Sequence, residues 1–126
     1  MSLRTPLGRV RGLGSAKGGV AHWWAQRITA VALLPLLLWF AAALAASAGM
    51  DHAAAKEWLS NPVSAILMIL LIAAGFHHAQ LGLQVVIEDY VHTEWLKITS
   101  IMAVKLAAVA LAVAGVFSVL KIAFGG

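Results

Sequence analysis

Residues 58–87 read WLSNPVSAILMILLIAAGFHHAQLGLQVVI and contain no Asp, Glu, Lys or Arg. A helix needs about 20 predominantly apolar residues to cross the hydrocarbon core of a bilayer, so this run is long enough to span one. Two further stretches qualify by the same measure. Residues 28–50 carry no charge, and residues 98–120 are interrupted only by Lys105. Across all 126 residues the composition is 62% hydrophobic and 11% charged, against roughly 25% charged in soluble domains, and the mean hydropathy is +0.90. The expectation is an all-α membrane protein of three transmembrane helices near 28–48, 63–88 and 98–122. These form one domain, 1–126, with residues 1–27 as a basic N-terminal segment. So little chain lies outside the spans that no soluble catalytic domain fits.

Charge placement sets the expected orientation. The leader holds Arg4, Arg9, Arg11, Lys17 and Arg27 without an acid, whereas the first loop offers Lys56 against Asp51 and Glu57. By the positive-inside rule the N-terminus is cytoplasmic and the C-terminus faces out. The formal charge of +4 is explained by this topology and does not point to nucleic acid. Ala46-Ser47-Ala48 has the look of a signal-peptide cleavage site, but the apolar run before it exceeds the roughly 7 to 15 residues of a signal core, so a retained span is expected. Trp23, Trp24, Trp58 and Trp95 fall near span ends, as in an interfacial aromatic belt. Trp39 does not fit that pattern, and Pro35 falls where it can kink the first span.

The absence of cysteine excludes disulfides, thiolate-ligated iron–sulfur clusters and covalent c-type haem attachment. Any redox cofactor is therefore non-covalent or held by histidine. The second span carries His77 and His78 inside its apolar run and ends in Glu88-Asp89-Tyr90. At 100° per residue His78, Gly82, Val85 and Asp89 share one stripe, and His77, Leu81, Gln84 and Glu88 the next. A buried imidazole must spend its N–H and its lone pair. Haem ligation, a hydrogen bond to a neighbouring helix and a proton relay are the chemistries open to it. Gly82 removes a side chain where a flat macrocycle would press beside His78, while Leu81 obstructs the corresponding place beside His77. No other span holds a well-placed histidine, since His22 and His52 lie at interfaces, so a second axial ligand would come from another polypeptide. Tyr90 beside Asp89 is either an interfacial anchor or a hydroxyl donor to a quinone carbonyl. Arg27 reads as a positive-inside charge.

These residues carry a resemblance. Arg27-Ile28-Thr29-Ala30 at the head of the first span, followed by His78-x3-Gly82-x6-Asp89-Tyr90 across the second, resembles the D-type hydrophobic membrane anchor subunit of succinate dehydrogenase (succinate:ubiquinone oxidoreductase, respiratory complex II), over nearly the whole chain. The resemblance implies a haem b shared with a partner anchor, with His78 as its axial iron ligand and Arg27, His22 and Gly82 around it. It implies a ubiquinone site that includes Tyr90 and Asp89. It also implies packing against a C-type, cytochrome b556-like anchor into a helical bundle in a bacterial inner membrane. The flavoprotein with FAD and the iron–sulfur subunit with its clusters are the remaining partners it implies. On that reading the chain has no catalytic residue of its own for succinate. It supports electron transfer from succinate to ubiquinone, joining the tricarboxylic acid cycle to aerobic respiration. The competing expectation is a small transporter or proton-relay protein using His77, His78, Glu88 and Asp89.

Overall fold

A computed structural model describes residues 3–12 and 18–126. The three long helices expected are α2 (Gly19–Ala46), α4 (Pro62–Tyr90) and α5 (Glu94–Ala123). Two short helices are added, α1 (Pro6–Arg11) before α2 and α3 (His52–Ser60) in the first loop. No strand occurs among the described residues. The long helices contain 28, 29 and 30 residues, so each is about 42 to 45 Å long at 1.5 Å per residue. That matches a bilayer with its headgroup layers, roughly 40–45 Å, more closely than the hydrocarbon core alone.

This accounts for the main difference in boundaries. The first span was expected to start after Arg27, but α2 begins at Gly19, and His22, Trp23, Trp24 and Arg27 are helical. A cation need not end a membrane helix when its side chain can reach the headgroups and its ring neighbour can hold it. Arg27 stacks over Trp23, 4.2 Å from the ring centroid. Lys17 lies outside the described residues. Pro35 sits within α2, which continues through it to Ala46.

The turns are built from local capping. Asp51 caps α3 by accepting the Ala54 N–H at 2.8 Å. Asn61 ends α3 and starts α4, its Oδ1 accepting the Val63 N–H at 2.9 Å, with Pro62 in the first turn, where its missing N–H costs nothing. The short helix explains Trp39, whose ring stacks on Trp58 at 5.7 Å and 19° and so ties α2 to α3. At the same end Ser60 Oγ donates to the Ile122 carbonyl at 3.2 Å, joining α3 to α5.

Helix α4 is central. It packs on both α2 and α5, which make no backbone contact with each other. Only Leu36, Ser64, Ala65, Leu81 and Val119 are buried among the described residues, so most apolar side chains are at least partly exposed, as lipid or subunit contacts require. The α4–α5 seam is closed by a small residue. A Cβ at Gly115 would lie 3.2 Å from Ile72 Cγ2. Gly115→Val is therefore expected to destabilise the detergent-solubilised protein by about 1–3 kcal/mol through overpacking. Ile72→Ala in the same chain should recover part of that loss in a thermal-unfolding assay. Equal melting of Gly115→Val and wild type would show that the seam is not tight there.

Candidate functional site

Thr29 of α2 and His78 of α4 stand opposite each other, and Thr29 Oγ1 lies 3.0 Å from His78 Nδ1. The same hydroxyl is 2.7 Å from the Ala25 carbonyl oxygen and 3.1 Å from that of Gln26. Carbonyl oxygens only accept, and the hydroxyl has one proton, so that proton points back along α2. The remaining capacity of Oγ1 is as an acceptor, which assigns the proton of His78 to Nδ1. Nε2 then carries the lone pair. It makes no hydrogen bond among the described residues, and it is not one of the enclosed polar atoms that lack a partner. It therefore opens onto the surface of the helix bundle. An imidazole fixed through Nδ1–H with a bare, outward Nε2 is the form in which histidine binds a metal.

Around it the first turns of α2 face Gly82. His22, Gln26, Arg27 and Gly82 line a cavity of about 430 Å³ between α2 and α4, one turn nearer the α4 C-terminus than His78. His78 itself does not line it. A Cβ at Gly82 would lie 3.7 Å from Gln26 Nε2, an ordinary contact. The glycine thus meets the Gln26 amide rather than empty space, and its absent side chain widens the cavity beside that amide. Two polar atoms, His22 Nε2 and Gln26 Oε1, are enclosed without a hydrogen-bond partner.

The other sequence-singled residues are distributed by helix stripe. Leu81 is 5% exposed and fills the place beside His77. His77 is exposed and faces the α5 side of α4, away from the Thr29 contact. Glu88 accepts from Gln84 Nε2 at 2.9 Å. Asp89 and Tyr90 end α4 in exposed positions, Tyr90 at 78%, and no hydrogen bond joins them. The structure brings His22, Arg27 and Gly82 into one cavity, sets His78 one turn away, and leaves Asp89 and Tyr90 at the helix end. Among the described residues no three His, Asp or Glu side chains cluster to hold a metal. Two participants went unassigned from the sequence. Thr29 and Gln26 share the α2 face of His22, at intervals of three and four residues, which is the signal that places them toward α4.

Fold and site together define a multi-pass helical membrane subunit whose central span carries two adjacent imidazoles, one of them meeting the first span through Thr29. Residues 1–114 match the family model described as the succinate dehydrogenase/fumarate reductase transmembrane subunit. The succinate dehydrogenase hydrophobic membrane anchor subunit of Rickettsia bellii is 36% identical over 116 residues, 92% of this chain and 93% of that protein. The protein of the same name from Paracoccus denitrificans is 33% identical over 86 residues, 68% and 67% of the two chains. The succinate dehydrogenase membrane anchor subunit of Reclinomonas americana is 30% identical, covering 74% and 80%. No solved structure gives a significant match. The chain belongs to the succinate dehydrogenase/fumarate reductase transmembrane subunit family.

Proposed function

We propose that this chain is the hydrophobic anchor of a succinate:quinone oxidoreductase and that His78 would hold the iron of a haem b through Nε2. The observation that carries the ligand assignment is the Thr29–His78 contact of 3.0 Å with the hydroxyl proton already committed to α2. The residues present fit the group. The imidazole is in the ligating tautomer, and the cation Arg27 lines a cavity one turn away together with His22, Gln26 and the side-chain-free Gly82. Bound there, the haem would supply one-electron transfer between iron–sulfur centres and quinone. The chain's own residues do the holding. Thr29 fixes the plane of the imidazole. Arg27, kept in place by Trp23, presents N–H groups to carboxylates, and His22 and Gln26 line the same edge. At the end of α4 the Tyr90 hydroxyl donates to a quinone carbonyl, with Asp89 next to it. The N-terminus is cytoplasmic, and the other half of each site comes from a C-type anchor and an iron–sulfur subunit, with a flavoprotein beyond them.

The competing proton-relay reading loses its chain of contacts, since His77 and His78 point to different neighbours and neither hydrogen-bonds Glu88 or Asp89. The test is spectroscopic. The complex purified through this chain should show a b-type haem spectrum. Thr29→Val keeps the side-chain volume but leaves Nδ1–H without an acceptor, and is expected to weaken haem retention about 10-fold, the lower end for loss of an outer-shell partner. Thr29→Ser restores the acceptor and should stay near wild type. Wild-type haem content in Thr29→Val would remove the threonine from the site.

A further inference from the structure

At the end of the bundle away from Arg27, α2 stops, α3 runs through the loop, α4 begins and α5 finishes. His52 and Lys56 stand four residues apart on one face of α3, and Ser118, Lys121 and Ile122 share one face of the last two turns of α5. Together with Gly126 they line a pocket of about 260 Å³. The Ser60 hydroxyl fixes where the two helices meet, lying 2.7 Å from the Lys56 carbonyl oxygen and 3.2 Å from that of Ile122. No residue is shared with the cavity beside Gly82.

The charge in this pocket is one-sided. Lys56 and Lys121 are the two lysines at the loop end of the bundle, and both line it. No Asp or Glu side chain does. Of the acids at this end, Asp51 is committed to the Ala54 N–H, and Glu57 does not line the pocket. Among the described residues neither lysine has an ion-pair partner, and the carboxylate of Gly126 is within ion-pair distance of neither. Lys121 lies in the last turn of α5, where a cation complements the carbonyl end of the helix. Lys56 has no such role, since it sits in the middle of α3, half-buried.

Depth selects the kind of anion. Helix α5 is about 45 Å long against a hydrocarbon core of roughly 30 Å, which leaves some 7 Å of helix at each end in the headgroup layer. Lys121 is two residues, about 3 Å, from the end of α5, and Ser118 is about 7 Å from it. The pocket therefore spans the headgroup layer down to the edge of the hydrocarbon. The stacked Trp39 and Trp58 rings lie at the same end, as the aromatic belt of an interface does. Two ammonium groups and an imidazole at phosphate depth, with no acidic side chain to receive an amine, match a phosphodiester that carries net negative charge.

We propose that the α3–α5 pocket binds the phosphodiester of one anionic phospholipid, held between Lys56 and Lys121 with His52 at its rim. The inference does not rest on the haem or quinone reading, and it stands whichever side of the membrane this end faces.

The test is native mass spectrometry of the intact complex, purified through this chain, stripped of lipid in mild detergent and titrated with dioleoyl phosphatidylglycerol. Lys56→Gln and Lys121→Gln are each expected to weaken the tightest lipid adduct about fivefold, the worth of one lysine near a lipid phosphate. Lys121→Arg keeps it. Ser118→Leu fills the pocket from an exposed position with both lysines intact and should weaken binding as well, so the result does not depend on one variant folding. Lys97→Gln, at the other end of α5, should leave it unchanged. Wild-type binding in both Lys56→Gln and Lys121→Gln overturns the proposal, as does an equal loss in Lys97→Gln, which would make the effect one of bulk charge. Dioleoyl phosphatidylcholine binding as tightly as phosphatidylglycerol removes the selection for net charge and overturns it. So does displacement by millimolar inorganic phosphate, the mark of a free-anion site. Loss of a copurifying subunit from Lys56→Gln, with lipid binding unchanged, would assign the lysine to a protein interface and overturn it too.

Discussion

In His78→Ala the purified complex is expected to lose its b-type absorption, with haem per complex falling by more than about tenfold, while His77→Ala stays near wild type. The contrast follows from what each ring has for neighbours. His78 donates Nδ1–H to Thr29 and leaves Nε2 without a partner, so its removal takes away the ligand proposed for the haem iron. Loss even of an outer-shell partner costs 10–100-fold in metal affinity, and loss of the ligand itself costs at least as much. His77 faces the α5 side, where Leu81 closes the neighbouring position. Its removal takes away no group that meets Thr29. Haem content and subunit composition should be measured on the same preparation, so that loss of cofactor is separated from loss of assembly. A full haem complement in His78→Ala would place the ligand elsewhere and leave the Thr29 contact as simple interhelical packing.

The same pair of histidines shows how much of the site the sequence made legible. Helical periodicity separates the His78 stripe from the His77 stripe, and the small residue at position 82 against the large one at 81 already favours His78. That argument needs only one helix. The part that fixes the tautomer lies across two helices and 49 residues of sequence, and nothing in local pattern says that Thr29 rather than Ile28 or Ala30 meets the imidazole. Span number was readable because charge-free runs are a one-dimensional signal. The start of α2 is not legible in that way, because a cation such as Arg27 marks a span end in one dimension, whereas its guanidinium rests on Trp23 one turn earlier within the helix. Trp39 looked anomalous for a similar reason: its partner, Trp58, sits on a helix in the loop that charge and hydropathy do not mark.

Tyr90→Phe is expected to lower quinone reductase turnover by on the order of 10²-fold, the usual loss on removing one donor from an oxygen that gains charge in the reaction. Succinate oxidation followed with a soluble dye should remain close to wild type. Tyr90 is the last residue of α4 and is 78% exposed, with its hydroxyl bonded to nothing among the described residues. The substitution therefore removes no internal hydrogen bond and leaves the ring, so folding and assembly should be unaffected. The two assays divide the electron path. The dye takes electrons upstream of the quinone, whereas quinone reduction needs a proton donor at the carbonyl oxygen as charge arrives. Asp89→Asn should have the smaller effect, because no hydrogen bond connects that carboxylate to the phenol and its influence would be through charge across the helix end. Equal loss in both assays for Tyr90→Phe would mean that the side chain supports assembly. Equal retention would leave it as an interfacial anchor, the role that its position at a helix terminus permits without any ligand.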